Sequence, residues 1–198
     1  MKKTLSIILP IVIAAIALSS TVCQSETISS AKSTAVKKPD STTADIRYTF
    51  LKDCKETILN DNAAFSEQNC PDLAAFKVSI TKQDPQFFNI ILKHKTQESS
   101  SDFTVVSNKK PIKEGKAIEW HLQDNVPKYM IFRLSWGTDD QPFKMREYLV
   151  VNLVTANDIC ALATIDIKNN RDANEKARNL LLKEFKNTQA CPEKIQVF

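Results

Sequence analysis

Glycine is nearly missing: Gly115 and Gly137 are the only two in 198 residues. A loop that cradles phosphate needs several glycines for close backbone approach, and neither a P-loop nor a dinucleotide-binding pattern can be written anywhere in this chain. The same scarcity predicts that tight two-residue hairpins with obligatory glycine are rare and that turns use Asn, Asp and Pro in longer loops. Histidine is as scarce, with His94 and His121 alone. There is no CxxC pair, and neither histidine is close to a cysteine in sequence, so no metal or other cofactor is expected. The hydrolase signatures GxSxG and HExxH are absent as well. After Ser25 every apolar run is broken by a charge within about ten residues, against the roughly 20 a membrane-spanning helix requires.

What the chain does have begins with a leader. Met1-Lys2-Lys3 is positive, Leu5 to Leu18 is uncharged and apolar, and Ser19 to Ser25 is a small-residue exit, the pattern of a secretory signal over residues 1–25. Localisation in the periplasm or outside the cell follows as the expectation. Cys23 raises the alternative of a lipid anchor, which Val22 disfavours, because a small residue normally precedes a lipidated cysteine. A cut after Ser19 would leave Cys23 as an odd thiol, whereas a cut near Ser25 removes it. Lipidation or late cleavage each leaves Cys54, Cys70, Cys160 and Cys191, an even set in an oxidising compartment, which reads as two disulfides. Four cysteines allow three connectivities, and proximity favours Cys54–Cys70 with Cys160–Cys191.

Residues 26–45 are a Ser/Thr/Ala/Lys stretch with no aromatic residue and no apolar period, expected as a disordered tether. Residues 46–198 then have the length of a single domain with one core. The formal charge of +4 falls to about +2 once Lys2 and Lys3 leave with the leader. Lys37-Lys38 and Lys109-Lys110 are isolated pairs, so no nucleic-acid partner is expected.

Alternation with period two runs from Ile46 to Ile167. Candidate strands are Ile46 to Leu51, the Phe76/Val78/Ile80 alternation, Phe87 to Lys93, Ala117 to Gln123, Tyr129 to Trp136, Arg146 to Thr155 and Ile159 to Ile167. After Asn170 the period becomes helical: Ala173, Ala177, Leu180, Leu181 and Phe185 recur on one stripe up to about Asn187, with Asp172 and Glu175 spaced as a capping box. The fold class expected is therefore α+β: an antiparallel meander of about six to eight strands, one face wet, packed against a single C-terminal helix and stapled by disulfides.

Opposing Trp120 to Phe132 sets Leu122 against Met130 and Ile118 against Leu134, with a five-residue loop from Asp124 to Lys128. That register places Glu119 across from Arg133 and His121 across from Ile131 on the second face. Ordinary cross-strand decoration accounts for such a pair. A functional face would combine Glu119, His121, Arg133 and Tyr148, with Tyr129 and Asn152 adjoining, Glu or His acting as acid or base and Arg holding an anion. No catalytic nucleophile stands out. Trp120, Trp136 and the acids Asp139-Asp140 read as core and as turn formers, and His94 as a solvated edge residue.

Tyr48-Thr49, Cys54, Cys70-Pro71, Glu119-Trp120, Pro127 to Arg133, Tyr148 to Val151, Cys160, Ala173 to Arg178 and Cys191 together resemble a family of uncharacterised exported bacterial proteins with four cysteines and an Ala-Asn-Glu-Lys-Ala-Arg helix. His121 stands where that family often has Arg, and Asp72 where Gly commonly follows Cys-Pro. The resemblance implies a bacterial envelope or secreted protein and carries no reaction or ligand with it. Three functions are then in play: a non-enzymatic protein-interaction module, as the leading one; a small-ligand binder using the second sheet face around Glu119 and Arg133; and an acid/base hydrolase. The partner expected is another protein or a small ligand in the envelope.

Overall fold

The computed structural model describes residues 45–59, 65–84, 87–138 and 144–198. The leader, Cys23, the tether up to residue 44 and the Asp139-Asp140 turn lie outside the described residues. Among the described residues eleven strands form one sheet: β1 (Asp45–Phe50), β2 (Lys55–Ile58), β3 (Ser66–Asn69), β4 (Lys77–Asp84), β5 (Phe87–His94), β6 (Gln97–Ser101), β7 (Lys113–Gln123), β8 (Val126–Gly137), β9 (Met145–Val154), β10 (Asp158–Asp166) and β11 (Gln196–Val197). A one-turn helix α1 (Thr104–Ser107) and the C-terminal helix α2 (Ala173–Lys183) complete it. The sheet order is β1-β7-β8-β9-β10-β6-β5-β4-β3-β2, with β11 beside β10.

The sheet is larger than the six to eight strands expected, and it is not a pure meander. All seven strands read from alternation are present, and four more are added. The additions are polar (KETI, SEQN, QESSS) or very short (QV), so they carry no apolar period to detect. The meander is interrupted at β10, which pairs parallel with β6 and β11 and antiparallel with β9.

β1 and β2 stand at opposite ends of this order yet are joined only by the 3-10 turn Leu51–Asp53 and Cys54. Following the pairing senses round the sheet, they point the same way. They are two halves of one bent strand, and the sheet must curl to bring its ends to that corner. The rings confirm the curl. Phe88 on β5 and Phe132 on β8 are separated by three strands in the order, about 19 Å in a flat sheet, but their centroids lie 6.1 Å apart.

The curl produces an inner core, in which Val78, Ile80, Ile90, Ile118, Trp120, Phe132 and Leu134 meet with Phe103 and Ile112. The opposite, outer face of β8, β9 and β10 is not wet as expected. Ile131, Leu149, Val151, Leu153, Leu162 and Ile165 are buried there beneath Ala173, Ala177, Leu180 and Leu181 of α2. These three strands therefore have a core on either side, and only the flanking strands keep the simple alternation.

Helix α2 starts at Ala173 as its periodicity predicts and ends at Lys183, four residues earlier than expected. Asp172 is its N-cap, but no side-chain capping bond forms, because its backbone (φ −101, ψ 35) is not extended as a capping residue's must be. Asn170 ties the approach instead: its Nδ2 donates to the Asp166 carbonyl and its Oδ1 accepts from Lys176 Nζ. Two disulfides pair Cys54 with Cys70 and Cys160 with Cys191, joining respectively the ends of β2 and β3, and β10 to the segment after α2.

The β7–β8 register is shifted from expectation by two residues. Trp120 opposes Met130, Ile118 opposes Phe132, Glu119 opposes Ile131 and His121 opposes Tyr129, with a bulge between His121 and Leu122. The apolar faces still match, since a shift of two preserves side-chain parity. The cause is the turn. Asp124 (φ 52) and Asn125 (φ 62) alone connect Gln123 to Val126, both in the left-handed region that Asp and Asn tolerate, so a two-residue hairpin forms without glycine. Lys95 (φ 55) serves a second such turn between His94 and Gln97. Gly115 is needed for close approach instead: a Cβ there would lie 2.6 Å from the Arg133 carbonyl oxygen on β8.

Candidate functional site

Glu119 is the centre of the densest polar cluster among the described residues. It projects from β7 on the outer face, beside β1, where Tyr48 is its direct cross-strand neighbour. His121, two residues along the same strand, shares its face. The fourth member is Arg178, which α2 carries to the sheet one position after the buried Ala177.

The geometry is that of a carboxylate filled with donors. Arg178 donates from Nε to Oε1 at 2.8 Å and from Nη2 to Oε2 at 2.6 Å, a bidentate clamp. The Tyr48 hydroxyl donates to Oε2 at 3.0 Å, and His121 Nε2 lies 2.8 Å from Oε1. Arg178 Nη2 also reaches the Tyr48 hydroxyl at 3.3 Å. The Glu119 side chain is only 12% exposed, that of Arg178 42%. Burial by itself would push the Glu119 carboxyl up, but the bonds from Arg178, His121 and Tyr48, with the charge of Arg178, outweigh it and hold the group at about 2. The bond to Glu119 in turn raises Arg178, and partial burial with the neighbouring carboxylate raises the Tyr48 hydroxyl.

A carboxylate with these partners stays ionised throughout the neutral range. It is a poor proton donor or acceptor there, since a general acid or base works best with a pKa near the operating pH. The cluster links elements: one part-buried carboxylate joins β1, β7 and α2. Its electrostatic contribution has a definite pH window. With Glu119 depressed from 4.5 to about 2, the folded state gains stability that is fully present above pH 4.5 and is lost as pH falls towards 2. Urea midpoints are expected to drop over that interval by the equivalent of about 3 kcal/mol, and Glu119→Gln is expected to remove that part of the drop. Equal acid sensitivity in wild type and variant would refute the assignment.

The other face residues are distributed differently. Arg133 is on the outer face but is not paired with Glu119. Its Nη1 lies 3.2 Å from Glu147 Oε2 of β9, and both side chains are substantially exposed. The two-residue change of register explains the lost Glu119–Arg133 opposition. Tyr148 is on the inner face, its ring stacked on Trp136 with centroids 4.0 Å apart. Tyr129 is buried in the outer core with its hydroxyl donating to the Phe185 carbonyl. Asn152 is buried on the inner side. Its Nδ2 donates to the carbonyls of Met130 and Val150, and its Oδ1 has no protein partner.

Trp120 and Trp136 are buried in the inner core as expected, and His94 packs its ring 4.8 Å from that of Phe76. Sequence reasoning missed Tyr48 and Arg178. Tyr48 carried a signal, since it lies in a strand whose other face is held by Thr49. Arg178 is 59 residues from Glu119, and only its place at the border of the helix stripe could have suggested it.

Beyond the cluster, β1 shows a second feature. Ile46 (40% exposed), Tyr48 (47%) and Phe50 (46%) form an apolar row on its outer face, with the Tyr48 and Phe50 rings stacked at 6.1 Å. Leu182, one helical turn beyond Arg178 and 57% exposed, extends the apolar surface on α2. Among the described residues β1 pairs only with β7, so its other edge is open. No helix of the described residues is long and apolar enough to cross a membrane. Comparison with known proteins finds no matching family model, no matching curated protein and no matching solved structure.

Proposed function

We propose that this chain is an exported protein-interaction module, working in the periplasm or outside the cell, that accepts an extended segment of another protein along the open edge of β1. One observation carries the reading: an open, regular strand edge that presents Ile46, Tyr48 and Phe50 in a row. Free edges are usually blunted by charge, proline, bulges or shortness. β2, at the other end of the sheet, is blunted in that way, being four exposed residues that begin Lys55-Glu56 and are tied by Cys54–Cys70. β1 pairs with β7 over six residues without a bulge and has no charge on its apolar face. Such an edge offers a partner main-chain hydrogen bonds for affinity and alternate side chains for selectivity.

The Glu119 clamp supports the reading by holding β1 rigid against β7 and α2, which lowers the entropy cost of docking. Two disulfides, the leader pattern and the tether-like composition of residues 26–45 support export. The test uses the mature domain and its Phe50→Lys variant to capture proteins from envelope extract, followed by purification of the captured protein. The purified partner is expected to bind the wild-type domain directly and the variant at least about tenfold more weakly. Equal binding to both, or nothing retained by the wild type, would overturn the proposal.

A further inference from the structure

We infer that a second copy of this chain docks on the β1 edge, forming a two-fold symmetric dimer in which two β1 strands pair antiparallel with Tyr48 opposite Tyr48. This rests on the reading of β1 as a docking edge and names its partner. A two-fold axis perpendicular to the sheet keeps the apolar rows of both copies on the same side, and opposed residues then share parity. With the axis at Tyr48, Ile46 opposes Phe50, Tyr48 opposes Tyr48 and Phe50 opposes Ile46, so every apolar side chain of the row meets another. On the reverse face Arg47 opposes Thr49, and no like charges stand directly opposite.

The neighbouring registers are worse. An axis at Arg47 sets two guanidinium groups against each other and leaves Phe50 without a large apolar partner, and an axis at Thr49 opposes Ile46 to Lys52. Charge does not prevent the approach of two copies. Arg47 is already paired to Asp45 at 2.6 Å, and Arg178 to Glu119. The area sets the strength. Side chains of this kind expose roughly 150–250 Å² when free, so three of them, each two-fifths to a half exposed, supply about 500 Å² from both copies together. That is well below the roughly 1,600 Å² of a standard stable interface, and it specifies a weak, reversible dimer.

The test has two arms, both using the mature domain with its disulfides intact. In sedimentation equilibrium the wild type is expected to pass from monomer to dimer with rising concentration, and Phe50→Lys to dimerise at least about tenfold more weakly. For the register, Tyr48→Cys is expected to cross-link to itself under mild oxidation. Ile46→Cys and Phe50→Cys are expected to cross-link to each other when mixed, while neither does so alone. The mixed pair leaves every partner of Glu119 in place, so it reads the register even where Tyr48→Cys loosens β1. A protein that stays monomeric and uncross-linked at all concentrations overturns the dimer, while the docking edge itself stands if a different captured protein still discriminates against Phe50→Lys. A dimer unaffected by Phe50→Lys overturns the β1–β1 pairing in the same way.

Discussion

Replacing Cys160 and Cys191 together by alanine is expected to cost about 4 kcal/mol of folding stability, by the loss of a 31-residue covalent loop. Against a net stability of roughly 5–15 kcal/mol this is a large fraction, worth a fall of roughly 10 °C in Tm for a domain of this size. The loop contains the whole of α2. Cys160 is on β10, on the side of the sheet that α2 covers, and Cys191 lies eight positions after Lys183, the end of the helix. Opening the bond therefore removes the covalent link between β10 and the segment after α2, leaving the β10–β11 pairing and packing to hold that segment. Urea denaturation of the double variant beside wild type measures the effect. Removal of Cys54 and Cys70 opens a shorter loop, of 16 residues, and is expected to cost somewhat less, about 3 kcal/mol. A loss under about 1 kcal/mol for the Cys160/Cys191 variant would mean that packing alone holds α2.

Trp120→Ala is expected to cost about 3–5 kcal/mol, the range for emptying a large aromatic site in a packed core. Trp120 is fully buried in the inner core, and its Nε1 donates to Thr49 Oγ1 at 2.9 Å. Two effects add. The cavity forfeits apolar burial, and the Thr49 hydroxyl, itself buried, loses its partner. Because Thr49 is on β1, the damage is directed: amides of Asp45–Phe50 should lose hydrogen-exchange protection before those of β8 and β9. Trp120→Phe keeps most of the volume and isolates the hydrogen-bond part, expected near about 1–2 kcal/mol. Uniform loss of protection across the sheet would show that Trp120 supports the core without anchoring β1 in particular.

Legibility in the sequence followed burial. Strands with a buried face and a period of two were readable, as was α2, because Ala173, Ala177, Leu180 and Leu181 are the residues that it buries. β3 and β6 were not readable, since Ser66–Asn69 and Gln97–Ser101 are held by neighbours on both sides and not by apolar side chains of their own. The wet second face failed for a different reason. Leu149, Val150 and Val151 stand in succession within a stretch that reads as alternating, yet all three are buried, on alternate sides, by two separate cores. The scarcity of glycine pointed to longer Asn/Asp/Pro loops, yet Asp124 and Asn125 take positive φ themselves and close a two-residue turn. Glu119 was legible as a residue of interest, but its partner came from a helix 59 residues away, where no strand-register argument reaches.

The bent strand formed by β1 and β2 has a consequence for the order of assembly expected from contact order. Strands β7 to β10 meet their sequence neighbours through short connections, a local arrangement that forms early, whereas Tyr48 must wait for Glu119, 71 residues downstream. By contact order, the first strand of the domain is expected to be among the last to find its place. Until Ala117 to Leu122 arrive, Ile46, Tyr48 and Phe50 travel unprotected on a segment with two unsatisfied edges, and a helper that shields nascent chains has its most exposed target there.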